Sequence, residues 1–412
     1  GGLDPRYVGN RLARGAGPPL HLGALRDRIQ LLLQDPLIER LNAELVPGTR
    51  RGESRLDVAV TRASPYALRL GFDNAGPPST GELRGTARGV VRNLTGWGDA
   101  VEVGHERSDG ARETSLSLEL PVNRHDTRVR ASIDIANARV VEEPLSEFDI
   151  TSHARTIEAG VIHPLVLDAR DRVEVGAALA RRRTKTTLLG RPFSFSEGVV
   201  DGRTDITVLR LSQTWLRREP DQVLAARSTF SRGLGLGHVT ENPGAVPDGR
   251  FLSWLGQFQW ARRFDERGTQ LVLRADLQLA RDALLPLEQI AIGGIDSVRG
   301  YRENTLVRDQ GLVTSIEGRV PLVRLPVPRL SEGTGDGWLS AVPFLDHGIG
   351  WNRDRATPGP SSILSVGLGL RWDVAPEIQA QLFYAHPLRD IPGAGNSLQE
   401  RGIHFRLIAR AF

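Results

Sequence analysis

The chain has 412 residues, 25% of them charged, with 53 basic side chains against 49 acidic ones and a formal net charge of +4. That small excess is no nucleic-acid footprint, since arginines alternate with Asp and Glu instead of clustering on one face, and a mean hydropathy of −0.25 with no apolar run of about 18 residues excludes helical membrane spans. The absence of cysteine excludes disulfide staples and thiolate metal sites, whereas 45 glycines and 25 prolines suit many strands joined by turns.

Gly1 is not a natural start and no leader-like segment follows it, so the sequence reads as a mature or trimmed chain. Leu22, Leu25, Ile29 and Leu32 recur at helical spacing, and the pattern stops at Asp35-Pro36. Leu41, Ala43 and Leu45 then alternate with polar residues. A Pro47-Gly48 turn and a second alternating run, Leu56, Val58 and Val60, follow. A helix packed on a small sheet is predicted for residues 1–63.

From Tyr66 the helical period gives way to a period of two. Leu116, Leu118 and Leu120 alternate with polar residues, as do Val129, Ala131, Ile133 and Ile135. The same dyad recurs at Leu252 to Trp260, Leu271 to Leu279 and Leu364 to Trp372. These segments run to about 10 residues or more, against about 5–6 in ordinary soluble sheets. About sixteen of them fit before Phe412, an even number as a closed antiparallel membrane barrel requires. Between Arg203 and Trp215, Ile206 and Val208 fall on one face while Leu209 and Leu211 fall on the other, which predicts a β-bulge there. At the C-terminus Ile403, Phe405, Leu407, Ala409 and Ala411 alternate out of phase with Phe412, so either a bulge resets the register or the last aromatic sits at the rim.

The connections differ in length. Pro121 to Arg124 and Leu167 to Arg170 read as short turns, while Leu188 to Asp201, Leu234 to Gly249 and Arg353 to Ser361 read as longer loops, the asymmetry of an outer-membrane barrel. Another long connection, about 281–310, contains Val298-Arg299-Gly300-Tyr301 and is too rich in apolar residues and paired charges to read as disordered. Gly233-Leu234-Gly235-Leu236-Gly237 lacks the strand and helix that would aim its amides at a phosphate, so it reads as a strand end. His105, His347, His386 and His404 are scattered and make no metal set, and nothing calls for a cofactor or catalytic triad. Six of the seven tryptophans, Trp97, Trp254, Trp260, Trp338, Trp351 and Trp372, suit strand ends and an interfacial girdle.

Gly71-Phe72-Asp73-Asn74-Ala75-Gly76, followed by Ser79-Thr80-Gly81, resembles the first barrel hairpin of the two-partner secretion transporters, the TpsB family of haemolysin and haemagglutinin exporters. The Val298-Arg299-Gly300-Tyr301 tetrad resembles that family's sixth extracellular loop motif, and Phe344-Leu345-Asp346-His347-Gly348 its partner motif on a late strand. The tetrad alone is shared with the wider superfamily that includes BamA; the Asp73-Asn74 hairpin and the barrel length favour secretion. The resemblance implies a transmembrane barrel of about 16 antiparallel strands over residues 64–412. Residues 1–63 would be a partial POTRA domain in the periplasm, the second of two.

Parity adds an independent constraint. Before Trp351, Ala341, Pro343, Leu345 and Ile349 share the lipid face, so Val342, Phe344, Asp346 and Gly348 face the lumen; on the preceding strand Ser315, Glu317 and Arg319 do the same. Either carboxylate, Asp346 or Glu317, suits the fork of a guanidinium on an inward-folded loop. The resemblance selects Asp346 as the partner of Arg299. It implies a non-enzymatic, monomeric barrel of the Gram-negative outer membrane, put there by the assembly machinery and bathed in outer-membrane lipid. Through it an unfolded, β-rich exoprotein would pass without ATP. The alternatives are a BamA-type assembly factor and a simple diffusion porin.

Overall fold

The computed structural model describes residues 3–391 and 395–411. At the N-terminus, helices α1 (Pro5–Ala13) and α2 (Leu22–Leu32) pack on a hairpin of β1 (Ile38–Pro47) and β2 (Ser54–Arg62). Val8, Leu12, Leu25, Leu32, Ile38 and Leu41 form their core. Helix α1 lies outside the sequence expectation: it is short, carries Gly9, and shows only the Val8/Leu12 pair as an apolar face. It is capped by Asp4, whose carboxylate accepts from the Arg6 amide at 2.8 Å.

The next strands are β3 (Tyr66–Asp73), β4 (Arg84–Arg92), β5 (Ala100–Arg107), β6 (Ala111–Pro121), β7 (Arg128–Arg139), β8 (Thr151–Leu167) and β9 (Asp171–Leu188). After the two-residue β10 (Arg191–Pro192) come β11 (Arg203–Arg218), β12 (Gln222–Leu234), β13 (Leu252–Arg263) and β14 (Gln270–Ala280). A small hairpin of β15 (Ile290–Ile292) and β16 (Leu306–Arg308) interrupts the wall before β17 (Gln310–Arg324), β18 (Trp338–Trp351), β19 (Ser362–Ala375), β20 (Ile378–Pro387) and β21 (Ile403–Ala411). Among the described residues, sixteen of these strands close into one antiparallel barrel, with β21 pairing back onto β3.

Alternation decides which way each strand faces. Phe72, Val103, Leu116, Ile157, Leu368 and Leu382 are exposed on the outside, an apolar band that would be costly in water and belongs in hydrocarbon. Closure leaves no free edge. The indole N–H groups of Trp215, Trp260 and Trp372 are all hydrogen-bonded near the short-turn end, which fits an interfacial girdle there. The short turns, such as those after β8, β11 and β19, gather at one end of the barrel and the longer loops at the other. The N-terminal layer sits at the short-turn end: Arg11 pairs with Asp126 at 2.5 Å, and Arg28 and Gln34 donate to the carbonyls of Leu167 and Ala169.

Two register expectations need revision. β11 pairs with both β9 and β12 without a shift, so no bulge separates Ile206 and Val208 from Leu209 and Leu211. Ile206 and Val208 instead face the lumen and are fully buried there against Phe251, Ala280, Leu284 and Leu285. The inner wall is apolar at that point because a folded loop covers it. β21 likewise runs without a shift through Ala411, and Phe412 lies outside the described residues.

Candidate functional site

The connection from Arg281 to Asp309 folds into the lumen instead of projecting from the rim. Its root is held by Asp309, fully buried, which accepts hydrogen bonds from the Leu284 and Arg353 amides, from Gln289, and from the Arg355 guanidinium at 2.7 Å. Its inbound limb reaches the wall three and four strands back from β14. There Glu288 takes Arg182 of β9 at 2.7 Å and Arg210 of β11 at 3.0 Å. The β15–β16 hairpin then carries a tip whose Gly293, Gly294 and Gly300 have φ of 121°, 96° and 87°, values that favour glycine.

At the tip all four residues of the tetrad have a defined place. Val298 is fully buried with Ile292, Tyr301, Leu306, Val313 and Ile363. The Tyr301 hydroxyl lies 2.9 Å from the carbonyls of Leu364 and Arg389. The Gly300 amide donates to His404 Nε2 at 2.8 Å. Arg299, 5% exposed, sends Nε and Nη2 to the two oxygens of Asp346 at 2.7 and 2.9 Å, and Nη1 to Glu317 at 2.9 Å. Its own amide donates to Asp346 at 3.2 Å. Parity left both carboxylates open, and both bind the one guanidinium.

The surroundings fix the plane of that fork. Phe344 lies 3.5 Å from the Arg299 guanidinium carbon to the ring centroid, and Phe383 lies at 4.8 Å. Ser315 donates to Asp346 at 2.6 Å, and Arg319 holds the other oxygen of Glu317 at 2.8 Å. Gly348 is needed for close approach: a Cβ there would meet Ile292 and Val298 of the loop. Glycine at that lumen position lets the hairpin lie on β18.

The first-hairpin residues form a second cluster, at the closing seam. Asn74 is fully buried; its side chain donates to the Ile403 carbonyl at 2.8 Å and accepts from the Phe405 amide at 2.9 Å. It thereby extends the β3–β21 ladder beyond its last paired residues, Asp73 and Arg406. Asp73 holds Arg84 through both oxygens. Gly76 receives Gln399 on its carbonyl at 2.8 Å, the Thr80 carbonyl accepts from Gly110 and Ser108, and Gly81 has φ of 97° facing Asp109. The two clusters meet through Arg406, which lies 3.6 Å from Asp73 and 2.7 Å from Asp296 of the loop.

Sequence reasoning missed His404, Asp309, Glu288, Asp296 and Gln399. His404 stood as a lone strand histidine; only its even parity, shared with Arg406, hinted at the lumen. No ligand-type cluster of His, Asp and Glu capable of holding a metal exists among the described residues.

The profile of the family described as haemolysin secretion/activation protein ShlB/FhaC/HecB matches residues 52–372. The heme/hemopexin transporter protein HuxB of Haemophilus influenzae (strain 86-028NP) is 19% identical over 384 residues, covering 88% of this chain, which spans 63% of that relative's length. Among solved structures, CdiB from Escherichia coli aligns with a TM-score of 0.79 at 19% identity, over 99% of this chain and 74% of that one. CdiB from Acinetobacter baumannii gives 0.73 at 18%, over 100% and 72%. BamA from Haemophilus ducreyi lacking POTRA domains 1–3 gives 0.63 at 13%, over 97% and 81%. At these identities the structural likenesses speak for the fold.

Proposed function

Because the chain belongs to the haemolysin secretion/activation protein family, ShlB/FhaC/HecB, a family of outer-membrane barrels, we propose that it exports a large β-rich partner protein of adhesin or haemolysin type across the outer membrane without ATP. The observation that carries this reading is the loop Arg281–Asp309, folded into the lumen and pinned at its tip by Arg299 between Asp346 and Glu317. A pore for small solutes needs no such device. An exporter does: its lumen must be obstructed at rest and clear when a chain passes.

In this reading residues 1–63 are a POTRA domain in the periplasm and 64–412 are the barrel. The β1–β2 hairpin forms a two-stranded sheet among the described residues, and a sheet edge of this kind can take an extended segment of the partner as an added strand. The partner enters unfolded, the loop tip leaves Asp346, and folding at the cell surface opposes return. The barrel acts as a monomer, set in outer-membrane lipid by the assembly machinery. No residue has a catalytic role.

The test is genetic and physical. Deleting this protein should strand a co-encoded β-rich exoprotein in the periplasm while unrelated outer-membrane barrels assemble at normal abundance. Continued export of that exoprotein, together with depletion of unrelated barrels, would replace this reading by a BamA-type assembly factor.

A further inference from the structure

One patch on the outer wall has the wrong chemistry for either lipid tails or plain solvent. Between β5 and β9, at the long-loop end, the outward positions of neighbouring strands fall into one row: Arg107 lies opposite Arg112, Arg112 opposite Asn137, Asn137 opposite His153, and His153 opposite Lys185. Lys185 is the sole lysine of the chain. With His105 and Arg139 these side chains line a groove of about 580 Å³. Arg107, Arg112 and Lys185 are exposed and have no hydrogen-bond or ion-pair partner among the described residues. Arg139 pairs with Asp149 at 3.1 Å, and Asp109 is the carboxylate at the groove's outer end.

Two physical points give this row a meaning. Like charges placed directly across an antiparallel pair destabilise it, so Arg107 opposite Arg112 needs an anion to offset the repulsion. Two residues nearer the periplasm the outward row is mixed, His105, Thr114, Ile135, Arg155 and Arg183, and four residues nearer the same strands carry Val103, Leu116, Ile133 and Ile157, the upper part of the lipid-facing band. The cations therefore stand at headgroup height in the outer leaflet, where the phosphates of lipopolysaccharide lie. At about 4.8 Å per strand the row spans about 19 Å, enough for a disaccharide with a phosphate at each end.

We propose that this row is a binding site for the bisphosphorylated glucosamine headgroup of an outer-leaflet glycolipid, its acyl chains lying on the apolar band beneath and its phosphates on Arg107, Arg112 and Lys185. The site depends on the outer-membrane setting and is independent of export. It is chosen over a free-anion site because, beyond one mixed row that adds Arg155 and Arg183, the same strands carry an exposed apolar band that suits acyl chains.

The test uses the purified chain in nonionic detergent, titrated with bisphosphorylated lipid A, with fully dephosphorylated lipid A, and with inorganic phosphate, and read by native mass spectrometry. The triple variant Arg107→Gln/Arg112→Gln/Lys185→Gln should bind bisphosphorylated lipid A about 100-fold more weakly, the loss expected for three cations at an anionic surface. Arg262→Gln, outward-facing at the periplasmic end, should bind as the parent does. Folding of each variant is checked by heat-modifiable gel mobility. Should the triple variant not fold, Lys185→Gln alone is read in the same titration, where a severalfold loss supports the site and parent-like affinity overturns it. Equal binding by parent and triple variant overturns the proposal, as does displacement of lipid A by millimolar inorganic phosphate or equal affinity for the dephosphorylated lipid.

Discussion

Every nitrogen of the Arg299 guanidinium has an acceptor, and the acceptors are themselves held by Ser315 and Arg319. Removing one member of so buried a pair leaves the other charge unpaired, a loss on the order of 3 kcal/mol that lumen water reduces. Arg299→Ala and Asp346→Ala should therefore each insert normally, raise the conductance and noise of single channels in planar bilayers, and impair export; the double variant should be no worse than either. Conductance of Asp346→Ala equal to the parent in level and noise would remove the gating role from this pair. Arg299→Lys should recover only part of the loss, since an ammonium cannot bridge Asp346 and Glu317 while lying flat between Phe344 and Phe383. Gly348→Ala tests the same docking sterically, because its Cβ runs into Ile292 and Val298. The loop should become protease-sensitive at unchanged barrel stability, and parent-like protection would show that β18 can absorb the methyl group.

The loop as an element is held by parts that local sequence patterns cannot see. Alternation makes the barrel strands legible because one face meets lipid and the other does not, and the same parity puts Asp346 and Glu317 on the lumen side. It fails where the inner wall turns apolar beneath the loop, at Ile206 and Val208, which mimic a phase error. It is also silent on partners far apart in the chain, such as Gly300 with His404 or Asp309 with Arg355. A contact within the loop tip gives it a pH dependence. Glu303, at the tip, accepts from the Ile295 amide at 3.0 Å, and burial, reinforced by Asp296 and opposed by Arg84 and Arg406, pushes its carboxyl from 4.5 up to about 7. In a released loop the group returns toward 4.5. Docking is then strongest below pH 4.5, weakens as pH rises through the window to about 7, and is level above it. The span is on the order of 2 kcal/mol after allowance for lumen water. Proteolysis of the loop should accelerate from pH 5 to pH 8 by more than the protease's own profile explains, and Glu303→Gln should flatten that rise. An unchanged slope in Glu303→Gln would assign the effect to another group.

At the scale of the whole molecule, the barrel is only as closed as the β21–β3 seam, and that seam is short. Its register ends at Arg406 opposite Asp73, after which one long backbone bond, from the Asn74 amide to the Phe405 carbonyl at 3.4 Å, is joined by the Asn74 side chain. Asn74 supplies both a donor, to the Ile403 carbonyl, and an acceptor, for the Phe405 amide, so one side-chain amide extends the ladder at the long-loop rim. Gln399 clamps the same turn through the carbonyls of Asn74 and Gly76. On the lipid face Phe72 and Phe405 cover the joint, with ring centroids 5.6 Å apart. Asn74→Ala strips both bonds and leaves two half-buried backbone groups without their side-chain partner, a cost on the order of 2 kcal/mol concentrated at the seam. Heating in detergent should therefore convert the compact gel form to the extended one at a lower temperature than for the parent. Asn74→Asp, which keeps the acceptor and loses the donor, should fall between them. Because the Arg299 fork contacts β17 and β18 on another part of the wall, loop protection in Asn74→Ala should persist up to that lower transition. Loss of loop protection well below the transition would mean that Asp73, Arg406 and Asp296 couple the seam to the loop tip, and an unshifted transition would mean that Gln399 and the aromatic pair suffice to close the barrel.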